Sequence, residues 1–160
     1  MKFFTKDMIE KHSVTFDCDM DGWYDICKQY DEMFALIRHK FSNRFLTIYN
    51  NNDRFHDFQL INIEYLPTKK LLKMVLSHNK YVYILVYSGV ENFKLEPTNC
   101  TSNYNAIEWL YDEFEVTEGN MMRHSIMFVD FDFLEFEVVF KNIKVARRFY
   151  ADWVANYKTV

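Results

Sequence analysis

Apolar residues near the start of the chain recur every three or four positions, at Trp23, Ile26, Cys27, Tyr30, Met33, Phe34, Ile37 and Phe41. That spacing gathers them into one helical stripe opposite Asp25, Lys28, Asp31, Glu32 and Arg38, and predicts an amphipathic helix over residues 21–42. A shorter helix from Thr5 to Lys11 precedes it, with the threonine as cap and Met8 and Ile9 on its buried side. Phe45–Tyr49 fits a strand or a last helical turn, and Asn50–Asp53 reads as a loop because Asn and Asp tolerate left-handed backbone.

The period then drops to two. Ile61, Ile63 and Tyr65 alternate within 57–65, and Leu72, Met74 and Leu76 alternate after the Pro67–Lys70 turn. Tyr81–Tyr87 is apolar on both faces, as expected of a strand covered on two sides, and Ser88-Gly89 breaks it before Val90–Leu95. The polar stretch 96–105 reads as a boundary. The pattern restarts at Trp109–Val116, turns at Glu118–Asn120, and continues through Met121–Val129 and Phe133–Phe140, a hairpin about residues 130–132. In its second strand Leu134, Phe136, Val138 and Phe140 form a dry face against Glu135 and Glu137. Phe149, Tyr150, Trp153, Val154 and Tyr157 then stand at helical spacing.

The two strand regions resemble each other. VENFKL (Val90–Leu95) and FKNIKV (Phe140–Val145) close them, with Asn92 and Asn142, and Lys94 and Lys144, fifty residues apart. The expectation is one α+β domain over 1–160, built of two antiparallel β-meanders with seven or eight strands in all. Its parts are a helical N-terminal region (1–44), a first meander (45–96), a second meander (106–146) and a short C-terminal helix on the sheet (147–158).

Composition narrows the classes. Sixteen Phe, eleven Tyr and three Trp against three Gly and two Pro argue for a packed core rather than disorder. No apolar run is long enough to span a bilayer and the start carries no secretory pattern, so a cytoplasmic protein without membrane association is expected. Three cysteines (Cys18, Cys27, Cys100) without a CxxC pair suit reduced thiols. Charge is uneven. Nine acids between Glu108 and Glu137 face Arg123 alone, whereas Lys141, Lys144, Arg147, Arg148 and Lys158 follow. That balance argues against a nucleic-acid platform, which needs a continuous basic face.

Chemical motifs are few. Asp17-Cys18-Asp19-Met20-Asp21-Gly22 copies the opening of a calcium loop, but the twelfth position is Lys28 where a bidentate Glu belongs. Asp19 and Asp21 therefore read as helix caps. His56-Asp57 matches a metal-phosphohydrolase pair in letters only, since it opens a strand and the other histidines lack ligand spacing; the simpler readings are that Asp57 bonds local backbone amides at the strand entrance or that the pair forms a small surface hydrogen-bond cluster. No Gly-rich phosphate loop or nucleophile elbow is present, so no catalytic residue, metal or cofactor is assigned.

FHDFQLINIEYL (Phe55–Leu66), LYDEFEV (Leu110–Val116), LEFEVVFKNIKV (Leu134–Val145) and the opening MKFFTKDM resemble a loose group of small uncharacterised bacterial proteins. Some of that group stand beside polymorphic toxins as immunity proteins, which implies an inhibitor role and no catalytic residues. Two functions are expected from the residues, the first made more specific by this resemblance. One is a protein-interaction module, of immunity type, that binds a basic partner such as a toxin through Asp112, Glu113, Glu115, Asp130, Asp132, Glu135 and Glu137. The alternative is a small-ligand pocket between helix and sheet lined by Trp23, Tyr30, Tyr83 and Trp109, with or without turnover.

Overall fold

The computed structural model describes residues 1–13, 20–96, 107–129 and 133–157. Asp17, Asp19, Asp130, Asp132, Cys18, Cys100 and the 97–106 boundary lie outside the described residues, as does the Asp21 side chain.

Thr5 caps the first helix, α1 (Lys6–Ser13), its hydroxyl accepting from the Met8 amide at 3.3 Å. The amphipathic stripe forms α2 (Met20–Ile37), and Tyr30, Phe34, Ile37 and Phe41 are buried along it. The helix stops earlier than its stripe. Arg38–Lys40 tightens to a single 3-10 turn and Phe41 is extended, because Ser42 caps a separate helix, α3 (Asn43–Asn50), by accepting from Phe45 N at 3.2 Å. The 45–49 stretch is therefore helical, with Phe45, Leu46 and Tyr49 buried.

Eight strands follow: β1 (Gln59–Leu66), β2 (Leu71–His78), β3 (Tyr81–Ser88), β4 (Asn92–Glu96), β5 (Ile107–Val116), β6 (Met122–Val129), β7 (Phe133–Phe140) and β8 (Asn142–Phe149). They make one antiparallel sheet in the order β4-β7-β6-β5-β1-β2-β3-β8. The fold is α+β, with the helical part first and a short helix, α4 (Tyr150–Tyr157), at the C-terminal end. α4 starts later than its spacing suggested, because residues through Phe149 pair with β3 and Phe149 lies 5.0 Å from the Tyr81 ring.

The meanders β1-β2-β3 and β5-β6-β7 exchange their closing strands. VENFKL supplies β4, which pairs with β7, and FKNIKV supplies β8, which pairs with β3. The crossing is nearly symmetric: Glu91 N donates to Val139 O at 2.9 Å and Lys141 N donates to Ser88 O at 3.0 Å. Gly89 sits there at φ +64, and a Cβ on it would stand 2.9 Å from Lys141 Cγ and 3.0 Å from Lys141 Cβ. The position suits glycine on both counts.

The sheet curls back on itself. Strands four apart in a flat sheet stand about 19 Å from each other, yet Tyr87 of β3 and His124 of β6 touch at 2.9 Å. The interior is filled by Leu72, Met74, Leu85, Ile126, Phe136, Val138 and Phe140, and α2, α3 and the link between them lay Phe34, Phe41, Phe45 and Tyr49 against Phe114. Burying each such side chain stabilises the fold by about 1.5–3 kcal/mol before entropy is counted.

Two bulges set what faces inward. In β1 the pairing passes from Leu60 to Asn62, so Ile61 turns out and is 38% exposed, while Ile63 and Tyr65 pair with buried Met74 and Leu72. The expected common face of Ile61, Ile63 and Tyr65 is thus broken at its first member. In β5 the pairing passes from Trp109 to Tyr111. Trp109, Asp112 and Phe114, opposite Phe128, Ile126 and His124, then point the same way, into the core.

Candidate functional site

The β5 bulge buries Asp112, which reads from sequence as part of an acidic surface. Its Oδ2 accepts from the Tyr49 hydroxyl of α3 at 2.7 Å and meets His124 Nε2 at 2.9 Å. His124 Nδ1 in turn meets the Tyr87 hydroxyl at 2.9 Å, and the Phe114 ring stacks on the imidazole at 3.7 Å. Asp112 and His124 are 3% and 0% exposed.

Proton positions follow from the chemistry. Burial pushes the His124 pKa below its ordinary 6.5 despite the adjacent carboxylate, and burial followed by the Asp112 charge pushes the Tyr49 and Tyr87 phenols well above 10. His124 is neutral, Nε2–H donates to Asp112, and Tyr87 donates to Nδ1. Asp112 is thereby a buried carboxylate satisfied by a hydroxyl and a neutral ring. Among the described residues it has no cationic side chain as an ion-pair partner.

Asp112 is also among the residues lining a cleft of about 340 Å³ between α2 and β5, although its side chain is only 1% exposed. Trp23, Cys27 and Asp31 of α2 line one wall, Leu110 and Tyr111 of the bulged strand another, and Phe4 closes an end. Tyr111 stacks on Phe4 at 5.2 Å and lies 5.1 Å from Trp23, giving an aromatic lining. The third wall is the turn holding Asp53, Arg54 and His56. Asp53, Arg54, Phe55 and Asp57 all have positive φ (45, 54, 66 and 63), a left-handed run of non-glycine residues. Such backbone costs about 1–2 kcal/mol per residue. Phe55, fully buried against Tyr49, Phe58 and Trp109, helps to hold it. Arg54 hydrogen-bonds Asp31 and lies 5.4 Å over the Tyr30 ring. His56 Nδ1 contacts Asp57 Oδ1 at 2.9 Å, the second of the two arrangements expected of that pair. Burial, then the Asp31 charge, raises the Cys27 thiol, which disfavours the thiolate.

The four aromatics expected to line one pocket separate. Trp23 lines the cleft, Tyr83 lines a neighbouring groove and donates to Asn52 Oδ1 at 2.9 Å, and Trp109 is core. Tyr30 is also core; its hydroxyl accepts from Phe114 N at 2.9 Å, on the edge of β5 that β1 leaves unpaired.

The acidic residues divide as well. Asp112 is in the core. Glu113 is 6% exposed, and its carboxylate accepts from the amides of Lys2, Phe3 and Phe4 at 2.6–2.7 Å, fastening the N-terminal segment across the sheet. Neither offers a charge for docking. Glu115 and Glu137 share Arg123 at 2.7 and 3.5 Å, and Glu135 and Glu137 border a recess of about 60 Å³ with Met1, Lys94 and Ser125.

The residues that sequence reasoning passed over are His124, Tyr49 and Tyr87, with Arg54 beside the cleft. A signal for the bulge exists. Trp109 and Phe114 are five apart, so a regular strand would put these large rings on opposite faces, and one inserted residue brings both inward with Asp112.

Among the described residues no three His, Cys, Asp or Glu side chains gather to hold a metal ion, and no helix is long and apolar enough to cross a membrane. Compared with known proteins, the chain matches no family model and no curated protein.

Proposed function

We propose that this protein is a binding module whose cleft between α2 and β5 takes a small organic cation, an ammonium or guanidinium group, with Asp112 as its counter-charge. The observation that carries the reading is Asp112, a residue that borders an aromatic-walled cleft and whose buried carboxylate has only a hydroxyl and a neutral imidazole as partners. Buried charges are ordinarily paired, and a cation between Trp23 and Tyr111 gains from the ring faces as well. Arg54, which also lines the cleft, is already paired with Asp31. The test is calorimetric titration with n-butylamine and n-butylguanidine. Saturable binding that weakens about tenfold or more in Asp112→Asn supports the reading. Trp23→Ala, outside the buried network, should weaken binding without loss of fold. Absence of saturable heat with either probe contradicts it.

We propose a second role for the outward face of β5–β7, docking of a basic protein partner by Glu115, Glu135 and Glu137. It is favoured by the register, which aligns Glu115 with Arg123 and Glu137 with Ser125 on one surface. The resemblance to immunity-associated bacterial proteins carries the more specific idea of a cytoplasmic inhibitor of a basic toxin. Reversing Glu135 and Glu137 to Lys should then slow association at least about tenfold at low salt, and an unchanged rate refutes this role.

A further inference from the structure

A second groove, of about 840 Å³, adjoins the cleft, and Asp53 and His56 line both. The left-handed turn is therefore a shared wall. The groove has the opposite character to the cleft on its far side. Arg147 follows Ile143 and Val145 on the same face of β8 but is itself exposed, and its guanidinium lies 4.7 Å from the centroid of the Tyr81 ring. Lys80 Nζ lies 5.7 Å from the same centroid. Two cations thus converge on one ring, and among the described residues neither has an ion-pair partner. Arg147 also borders a further recess with Arg44 and Asn51, which extends the positive side. The carboxylates of the groove, Asp53 and Asp57, belong to the shared wall, and Asp57 is engaged by His56. His78, stacked on Phe58 at 4.4 Å, adds ring surface between wall and cations.

We propose that cleft and groove form one bipartite site for a small zwitterionic molecule. Its cationic end rests on Asp112 between Trp23 and Tyr111, and its anionic end, a carboxylate or a phosphate, meets Arg147 and Lys80 beyond the wall at Asp53 and His56. This inference rests on the cation reading of the cleft and adds the second charge and the direction in which the molecule extends. A ligand with both charges gains two charge-assisted contacts for one loss of translational freedom, so it binds more tightly than either half. The ends are selected together, because a dication meets Lys80 and Arg147 and a dianion meets Asp112.

The experiment titrates the full chain with n-butylamine, butyrate, a series of ω-amino carboxylates of increasing length, and O-phosphorylated amino alcohols. Binding is followed by calorimetry and by the indole N–H resonance of Trp23. One chain length should bind at least about tenfold more tightly than n-butylamine, and the ratio of those affinities should fall to about one in Arg147→Gln. The carboxylate and phosphate arms identify the anionic group. If n-butylamine binds through Asp112 but no zwitterion improves on it, or Arg147→Gln leaves the ratio intact, this inference alone is overturned. If n-butylamine does not bind at all, the cation reading fails and takes the inference with it. Thermal melts of Asp112→Asn and Arg147→Gln establish that each variant is folded.

Discussion

Acidification should destabilise this protein through one side chain, His124. In the folded chain His124 is fully buried, and Tyr87 of β3, Asp112 of β5 and the Phe114 ring enclose it, with Tyr49 of α3 on the far side of Asp112. Burial lowers its pKa below the ordinary 6.5. The unfolded chain, whose histidine titrates near 6.5, therefore binds more protons than the folded chain at mildly acidic pH. The stability contribution is complete above about pH 6.5 and is lost as pH falls through the lower folded pKa. The slope of unfolding free energy attributable to His124 approaches 1.4 kcal/mol per pH unit, the limit for one proton, and never exceeds it (about 2.303RT). Urea unfolding of wild type and His124→Gln, at pH steps from about 7.5 to about 5, isolates that slope as the difference between the two curves. The variant loses stability at neutral pH by about 1–3 kcal/mol, because Tyr87 and Asp112 lose a partner, but its profile should be flatter below pH 6.5. Parallel profiles would refute the assignment of a neutral, Tyr87-bonded imidazole.

Other consequences follow from single contacts. Gly89→Ala places a methyl group against Lys141 on left-handed backbone and should cost about 2–3 kcal/mol, read as a drop in melting temperature of several degrees; a change under about 0.5 kcal/mol would mean the closing strands do not cross there. Glu113→Gln weakens the three amide bonds that fasten Lys2–Phe4 and should lower stability by about 1–3 kcal/mol, with faster amide exchange confined to the first residues of the chain. Ser42→Ala removes the cap of α3 and should cost about 1 kcal/mol in urea unfolding.

The sequence discloses periodicity well and tertiary choice poorly. The stripe from Trp23 to Phe41 and the dry row Leu134, Phe136, Val138 and Phe140 are local patterns; the dry row is buried, and the stripe faces the core with Tyr30, Phe34, Ile37 and Phe41 buried and Trp23, Ile26, Cys27 and Met33 half-buried. The exchange of β4 and β8 is not local. The closing phrases resemble each other, so neither announces its partner, and the pairing of β4 with β7 and of β8 with β3 shows only in the folded sheet. The end of α2 was hidden because Phe41 keeps the helical spacing while Ser42 starts a new helix. The site was hidden for a related reason. Asp112 sits among Glu108, Glu113 and Glu115 in the chain, and only the bulge at Leu110 sends it inward while Glu113 and Glu115 face the other side. His124 and Tyr87 lie thirty-seven positions apart and meet only because the sheet closes on itself.

The proposed role of Asp112 is that of counter-charge to a bound cation. It is tested most directly by measuring unfolding free energy against n-butylamine concentration at fixed ionic strength in wild type and Asp112→Asn. Wild-type stability should rise with the logarithm of amine concentration, by about 2.7 kcal/mol when the amine reaches a hundred times its dissociation constant, while a tenfold weaker Asp112→Asn gains no more than about 1.4 kcal/mol over the same range. Equal gains in both proteins, or none in wild type, would contradict it.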